Sequence, residues 1–307
     1  MSVGHTNFEW GWLKVTEVIA VTTDIVLIAQ KPATISGSNL QGVHMRREFC
    51  LTHTVRYDEC NCDGFLTPTA FLRYMQDIAA RDVEDAQLVS NGYWVIKRSI
   101  ISFATPVPTH AQLELKTFGI GISRITAQRG YEARLADAHS HEPAISARTL
   151  WVYVEPRGRP TRLPERTGQI WFPDGPLPQQ PEAPLPAFPE SISATTSAVV
   201  RFSDIDPMRH LNNASAVEML DNAAWEGYVQ GGITPDTAHF DILHYDIEYL
   251  DSPLFSEKLA IQSWLEPFPA AGQECTRLQQ IVREGRVMVR AYSRWLWRAP
   301  SSVQSEI

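Results

Sequence analysis

Cysteine is scarce: Cys50, Cys60, Cys62 and Cys275 are the four in 307 residues. So few cannot build a disulfide framework in a chain this long. Cys60-x-Cys62 also lacks a second pair at zinc-site spacing, so reduced thiols in a cytosolic setting and no metal are expected. Long apolar runs are missing too. The best of them, Val18 to Ala29, is interrupted by Thr22, Thr23 and Asp24 and is shorter than a bilayer requires, so no membrane span is expected. The residues before it carry Glu9 and no basic cluster, unlike a secretion signal. Basic residues are outnumbered, 27 against 35 acidic ones, for a net charge of −8; a nucleic-acid partner would call for a basic face. No glycine-rich phosphate loop occurs, so no nucleotide cofactor is expected. His139-x-His141 falls in the turn-like stretch Asp137 to Pro143 and reads as loop rather than as a metal site.

What is present has the balance of a soluble globular chain, 44% hydrophobic and 20% charged. Residues 1–45 show little organisation and read as an extension. From Glu48 the pattern sharpens. Phe49 to Tyr57 reads as a strand, rich in β-branched and aromatic residues. Thr67-Pro68 has the chemistry of a helix start, and Phe71, Met75, Ile78, Ala79 and Val83 recur at helical spacing, which predicts an amphipathic helix over 68–88. Four strands are expected next, at Tyr93 to Ala104, Ala111 to Phe118, Arg124 to Leu135 and Ala144 to Val154. One strand, one helix and four strands is an α+β order.

The same order returns after residue 194. Thr195 to Phe202 predicts a strand and 212–230 a helix stopped by Gly231-Gly232. Phe240 to Leu250, Lys258 to Leu265, Glu274 to Arg283 and Arg286 to Trp297 predict strands. Val55-Arg56-Tyr57 set against Val200-Arg201-Phe202 fixes an offset of 145, at which Leu66 meets Leu211 and Ala79 meets Ala224. The expected domains are therefore 46–155 and 194–299, with a tail at 300–307. Between them, 156–193 reads as an extended connection, because Pro156 to Glu190 holds ten of the 21 prolines.

The two copies are unequal. Val200 to Glu226 crowds Asp204, Asp206, His210, Asn212 and Asn213 into a strand-to-helix connection, a place where functional groups are often presented to a cleft. Either asparagine also suits a helix N-cap, and Asp206-Pro207 suits a turn. At the constant offset Asp206 meets Asn61 and His210 meets Phe65; with Pro106 aligned to Pro253, Glu248 meets Ile101. The second copy is thus expected to be the catalytic one.

Arg201, Asp204, Asp206, His210, Asn212 and Asn213 match, without gaps, the R-x-x-D-x-D-x-x-x-H-x-N-N signature that resembles hot-dog-fold thioesterases. Over roughly 46–299 the chain is similar to acyl-acyl-carrier-protein thioesterases, which carry two such units. Trp94-Val95-Ile96 through Ser102 resembles their W-V-x-x-R segment, with Arg98 in the arginine place; Asp206 and His210 match their D-x-N-x-H, and Glu248 their later glutamate. Met208 stands where that family has asparagine, and Tyr249 where it often has cysteine.

The resemblance implies a double hot dog, each half an antiparallel sheet wrapped around one long helix, paired inside one chain as a monomer or a homodimer of such chains. It implies metal-free hydrolysis of a fatty acyl thioester of acyl carrier protein, or alternatively of coenzyme A, or a non-catalytic acyl-binding protein. Such hydrolysis needs an activated water and donors for the oxyanion. Asp206 or Glu248 suits the base, His210 a water-orienting group or proton donor to the thiolate, and Asn212 or a helix-start N–H the carbonyl donor. Asn213, Arg98 and Trp94 are expected to contact substrate. Arg157, Arg159, Arg162 and Arg166 suit a phosphopantetheine phosphate or an acidic carrier, or a solvated connection.

Overall fold

In each copy a carboxylate turns the first strand toward its helix. The computed structural model describes residues 46–88, 91–137, 142–265 and 267–298. Strand β1 (Glu48–Thr54) ends in a 3-10 turn at Tyr57–Glu59, where Glu59 accepts the Arg56 N–H at 2.8 Å. Strand β6 (Ala194–Val199) ends in the matching turn at Phe202–Asp204, where the buried Asp204 accepts the Arg201 N–H at 2.7 Å. Residues 55–57 and 200–202, expected at strand ends, are therefore turns: the acid three residues on supplies the backbone bond that a sheet would otherwise supply.

The long helices α1 (Pro68–Asp85) and α3 (Asn213–Gln230) begin 145 residues apart. Thr67 Oγ1 caps the first by accepting from the Ala70 N–H at 3.2 Å; Asn212 Oδ1 caps the second by accepting from Ala214 at 2.8 Å. Gly231 caps the end of α3, and Gly232 follows at φ +83°, the left-handed conformation that lets the chain leave the helix.

Strands β2 (Tyr93–Phe103), β3 (Gln112–Ile122), β4 (Thr126–Leu135) and β5 (Ile145–Val154) follow α1. Strands β7 (His239–Tyr249), β8 (Lys258–Trp264), β9 (Glu274–Arg283) and β10 (Arg286–Arg298) follow α3. All ten join one antiparallel sheet in the order β1-β3-β4-β5-β2-β7-β10-β9-β8-β6, which reads as the same order from either end. The seam is β2 against β7, with Arg98 opposite Glu248 and Ile101 opposite Tyr245. Both helices pack on one face, and their apolar residues, such as Phe71, Ile78, Leu220 and Ala224, merge with Ile101, Tyr245 and Ile247 of the seam into a single core. Neither half closes its own core.

The proline-rich connection is extended but holds one short helix, α2 (Glu165–Trp171), which the sequence reading did not anticipate. Trp171 and Phe172 bury themselves with Ala86 and Leu88 at the end of α1. The chain then crosses the sheet on the face away from the long helices. Gln180 exchanges two hydrogen bonds of 2.7 Å with the Gln128 amide of β4, Glu182 pairs with Arg148 of β5 at 2.8 Å, and Phe188 meets Trp264 of β8 edge-on. Among the described residues no helix is long and apolar enough to cross a membrane. The N-terminal extension, His139, His141 and the C-terminal tail lie outside the described residues.

Candidate active site

The loop from Asp206 to His210 is a hairpin-like turn. The Asp206 N–H donates to the His210 carbonyl at 3.1 Å, the Arg209 N–H donates to the Asp206 carbonyl at 2.8 Å, and Arg209 takes a left-handed φ of +66°. Asp206 Oδ1 accepts the Met208 N–H at 2.9 Å, which fixes the carboxylate inside the turn. The turn brings His210 Nδ1 to 3.7 Å from Asp206 Oδ1 and 3.2 Å from the Leu211 carbonyl. Both neighbours of Nδ1 are acceptors, so neutral His210 is assigned its proton on Nδ1, which leaves Nε2 with a free lone pair.

Asn212 completes the group. Its Oδ1 accepts at the helix cap, and its Nδ2 donates toward Asp206 Oδ2 at 3.5 Å and Gln76 Oε1 at 3.3 Å. Gln76 belongs to α1 of the other half. It also lines an apolar cavity of about 210 Å³ whose walls include Ala79 and Ala80 of α1, Trp94 of β2 and Trp151 of β5. Arg129 closes that cavity while held by Asp82 at 2.7 Å, its guanidinium 4.5 Å from the Trp171 ring. Asn212 thus touches a wall residue of an apolar slot built on the first half, with the Asp206 carboxylate and the His210 imidazole in the turn beside it.

The structure gathers Asp206, His210 and Asn212, and it places Trp94 in the slot. Asn213 opens α3, and its carbonyl accepts from the Tyr249 hydroxyl at 3.4 Å. Burial pushes the Tyr249 phenol above its usual range, so it stays a hydrogen-bond donor against the helix start. Met208 sits in the turn with 45% of its surface exposed and contributes only its N–H.

Glu248 and Arg98 need correction. Tyr245, Ile247 and Tyr249 point into the core beside the helices, so alternation sends Glu248 and Asp246 to the opposite face of β7. There Arg98 holds Asp246 through two parallel bonds of 2.8 and 2.7 Å and lies 3.5 Å from Glu248, which also pairs with Arg290. These groups tie the two halves together across the seam; they do not face Asp206. Gln76, conversely, was missed. Its signal is the constant offset: an α3 residue that faces the first copy has an α1 counterpart that faces the second.

Among the described residues no three His, Cys, Asp or Glu side chains come together as metal ligands. No protein-family model matches the chain, and no curated protein matches it. Solved structures do. A Lactobacillus plantarum protein designated an oleoyl thioesterase is similar at 19% identity with a TM-score of 0.70, over 82% of this chain and 97% of that one. The 12:0-ACP thioesterase of Umbellularia californica aligns at 15% identity with a TM-score of 0.67, over 84% and 100%. An acyl-ACP thioesterase of Bacteroides thetaiotaomicron aligns at 15% identity with a TM-score of 0.64, over 81% and 97%. Mirror-ordered sheet, paired helices and these likenesses agree: the chain has the tandem hot-dog fold of the acyl-ACP thioesterase structures.

Proposed function

We propose that this protein hydrolyses fatty acyl thioesters, with acyl carrier protein as the preferred thiol carrier, as the names of its structural neighbours state for those proteins. The observation that carries the reading is the contact of Asn212 with Gln76, which links the Asp206–His210 turn to the apolar slot. An acyl chain lying along Ala80 and Trp94 brings its carbonyl to the start of α3. The N–H groups of Asn213 and Ser215 have no earlier helical carbonyl to serve, and the helix dipole favours negative charge there, so the oxyanion is held at that end.

Asp206 takes the proton of the attacking water, with Asn212 Nδ2 orienting the carboxylate. His210, having taken a proton from solvent on Nε2, passes it to the leaving thiolate, and Asp206 gives the proton it took from water back to solvent. The C–S bond breaks, and fatty acid and carrier thiol leave. Glu248 has no part in this scheme. The second half is the catalytic one, and the first supplies the slot. The four cysteines are free, which fits a reducing cytosolic setting.

The test is thiol release from a panel of acyl-ACP and acyl-CoA thioesters by the wild-type chain and by Asp206→Ala. Turnover that falls sharply in the variant supports the reading, and the donor preference settles the carrier. Tight acyl-thioester binding without turnover moves the protein to the acyl-binding class.

A further inference from the structure

The internal two-fold creates two equivalent places for a site, and the second is furnished as well. The first-copy loop repeats the turn of the second: the Asn61 N–H donates to the Phe65 carbonyl at 2.8 Å, and the Gly64 N–H donates to the Asn61 carbonyl at 3.0 Å. Gly64 takes a φ of +80°, as Arg209 does at +66°. Beside this loop opens a cavity of about 530 Å³, walled by Phe103, Trp225, Phe240 and Trp295.

At the offset of 145 the α3 residue that corresponds to Gln76 is Asp221, and Asp221 and Asn61 line this cavity together. Carboxylate and amide have exchanged places. One site has Asp206 on the loop and Gln76 on the helix; the other has Asn61 on the loop and Asp221 on the helix. An imidazole is present again, since His239 Nδ1 lies 2.6 Å from Oδ1 of Asp63, a residue on the cavity wall.

We infer that this cavity is a second acyl-thioester site, in which Asp221 is the base that activates water. The inference rests on thioester hydrolysis being the reaction of this protein. Asn61 Oδ1 accepts the N–H groups of Asp63 at 3.1 Å and Phe65 at 2.9 Å, which fixes the amide and leaves Nδ2 to donate to the substrate carbonyl. Asp221 Oδ1 receives the Tyr245 hydroxyl at 3.3 Å and Arg277 Nη1 at 3.5 Å, and the side chain keeps 20% of its surface open to water. Water attacks the carbonyl carbon and yields its proton to Asp221. The C–S bond breaks, and that proton leaves on the thiol.

Burial pushes the Asp221 carboxyl up to about 6, against the opposing pull of Arg277 and the Tyr245 bond, with Glu218 of its own helix adding to the rise. Arg73 of α1, Asp58 and Asp63 of the loop and Asp241 of β7 are the other charged groups on the cavity wall. A carboxylate so raised is a stronger base than an ordinary aspartate and is still ionised at neutral pH.

The experiment compares thiol release by wild type, Asp206→Ala, Asp206→Ala/Asp221→Asn and Asp206→Ala/Asn222→Phe. Asn222 is an exposed residue of the cavity rim, so the last variant obstructs the cavity without removing a charge from beside Arg277. Asp206→Ala is expected to retain turnover that declines as pH falls through about 6. Each double variant is expected to lose that remainder by roughly tenfold or more. Equal rates in Asp206→Ala and both doubles, a remainder with no inflection near that pH, or no remainder at all overturns the second site and leaves the Asp206 site standing. Full activity in Asp206→Ala that vanishes in the doubles supports the second site and overturns the first. A wild-type chain that releases no thiol overturns both.

Discussion

Arg73 of α1 and Glu218 of α3 hold corresponding positions in the two copies, 145 residues apart, and form an ion pair with each other at 3.2 Å. A residue can touch its own counterpart only where the local two-fold passes. The pair is solvent-exposed on both sides and contributes little energy, but it marks the axis about which both cavities are arranged.

Asp206→Asn is expected to fold normally, because Asn61 already serves the same turn in the first copy by accepting N–H bonds through Oδ1. Its kcat/KM for acyl thioesters should drop by roughly 10² or more, the usual scale for loss of a general base. Unchanged thermal unfolding together with full turnover would remove Asp206 from the mechanism.

Replacement of Arg98 by alanine should lower stability by about 3–5 kcal/mol, since Asp246 is left buried without its partner. Glu248→Gln keeps the shape of the outer face and should leave thiol release unchanged. Denaturant unfolding of the first and steady-state kinetics of the second check this assignment. A Glu248→Gln enzyme without turnover contradicts the placement of that side chain.

Ala80→Phe sets a ring into the open side of the slot that Gln76 and Trp94 line. The variant should raise KM for long acyl chains more than for short ones. A chain-length series of kcat/KM values reads this directly, and a uniform effect at every length would disconnect the slot from the acyl chain.

Asp221 ties stability to pH. Its carboxyl is raised from 3.8 to about 6 in the folded state, so the fold binds that proton more tightly than the unfolded chain does. The resulting stabilisation is full below 3.8 and is lost as pH rises through about 6. Relative to Asp221→Asn, the wild type should therefore lose on the order of 3 kcal/mol between those limits, because holding one extra proton is worth about 1.4 kcal/mol for each pH step of one. Paired unfolding curves across that range measure it; a difference that stays flat with pH contradicts the burial of Asp221.

Much of this arrangement was legible in the chain. The predicted helices differ from α1 and α3 by a few residues at most at their ends, because Thr67-Pro68, Asn212 and Gly231 carry their own start and stop chemistry. Asp206, His210 and Asn212 were legible as a group because seven consecutive residues hold all three. Gln76 was not, since it meets Asn212 across 136 residues and only because two helices pair. Glu248 was misread for a reason of parity. In a strand one residue decides the face, and the alternation of Tyr245, Ile247 and Tyr249 had already assigned the inner face to their side chains. The helix α2 escaped because prolines surround it, although Ile170, Trp171 and Phe172 form an apolar cluster that a connection has no need of.

The bidentate grip of Arg98 on Asp246 has a consequence for assembly. The two strands of the seam are encoded separately, so the cation stands on one and its anion on the other, Arg98 on β2 and Asp246 on β7. Were a second copy of the chain to offer its own β2 in place of β7, the Arg98 of each copy would be left without the Asp246 carboxylate that β7 supplies. Each would be an unneutralised charge withdrawn from water, at a cost of several kcal/mol. The seam therefore favours β2 against β7 over β2 against another β2.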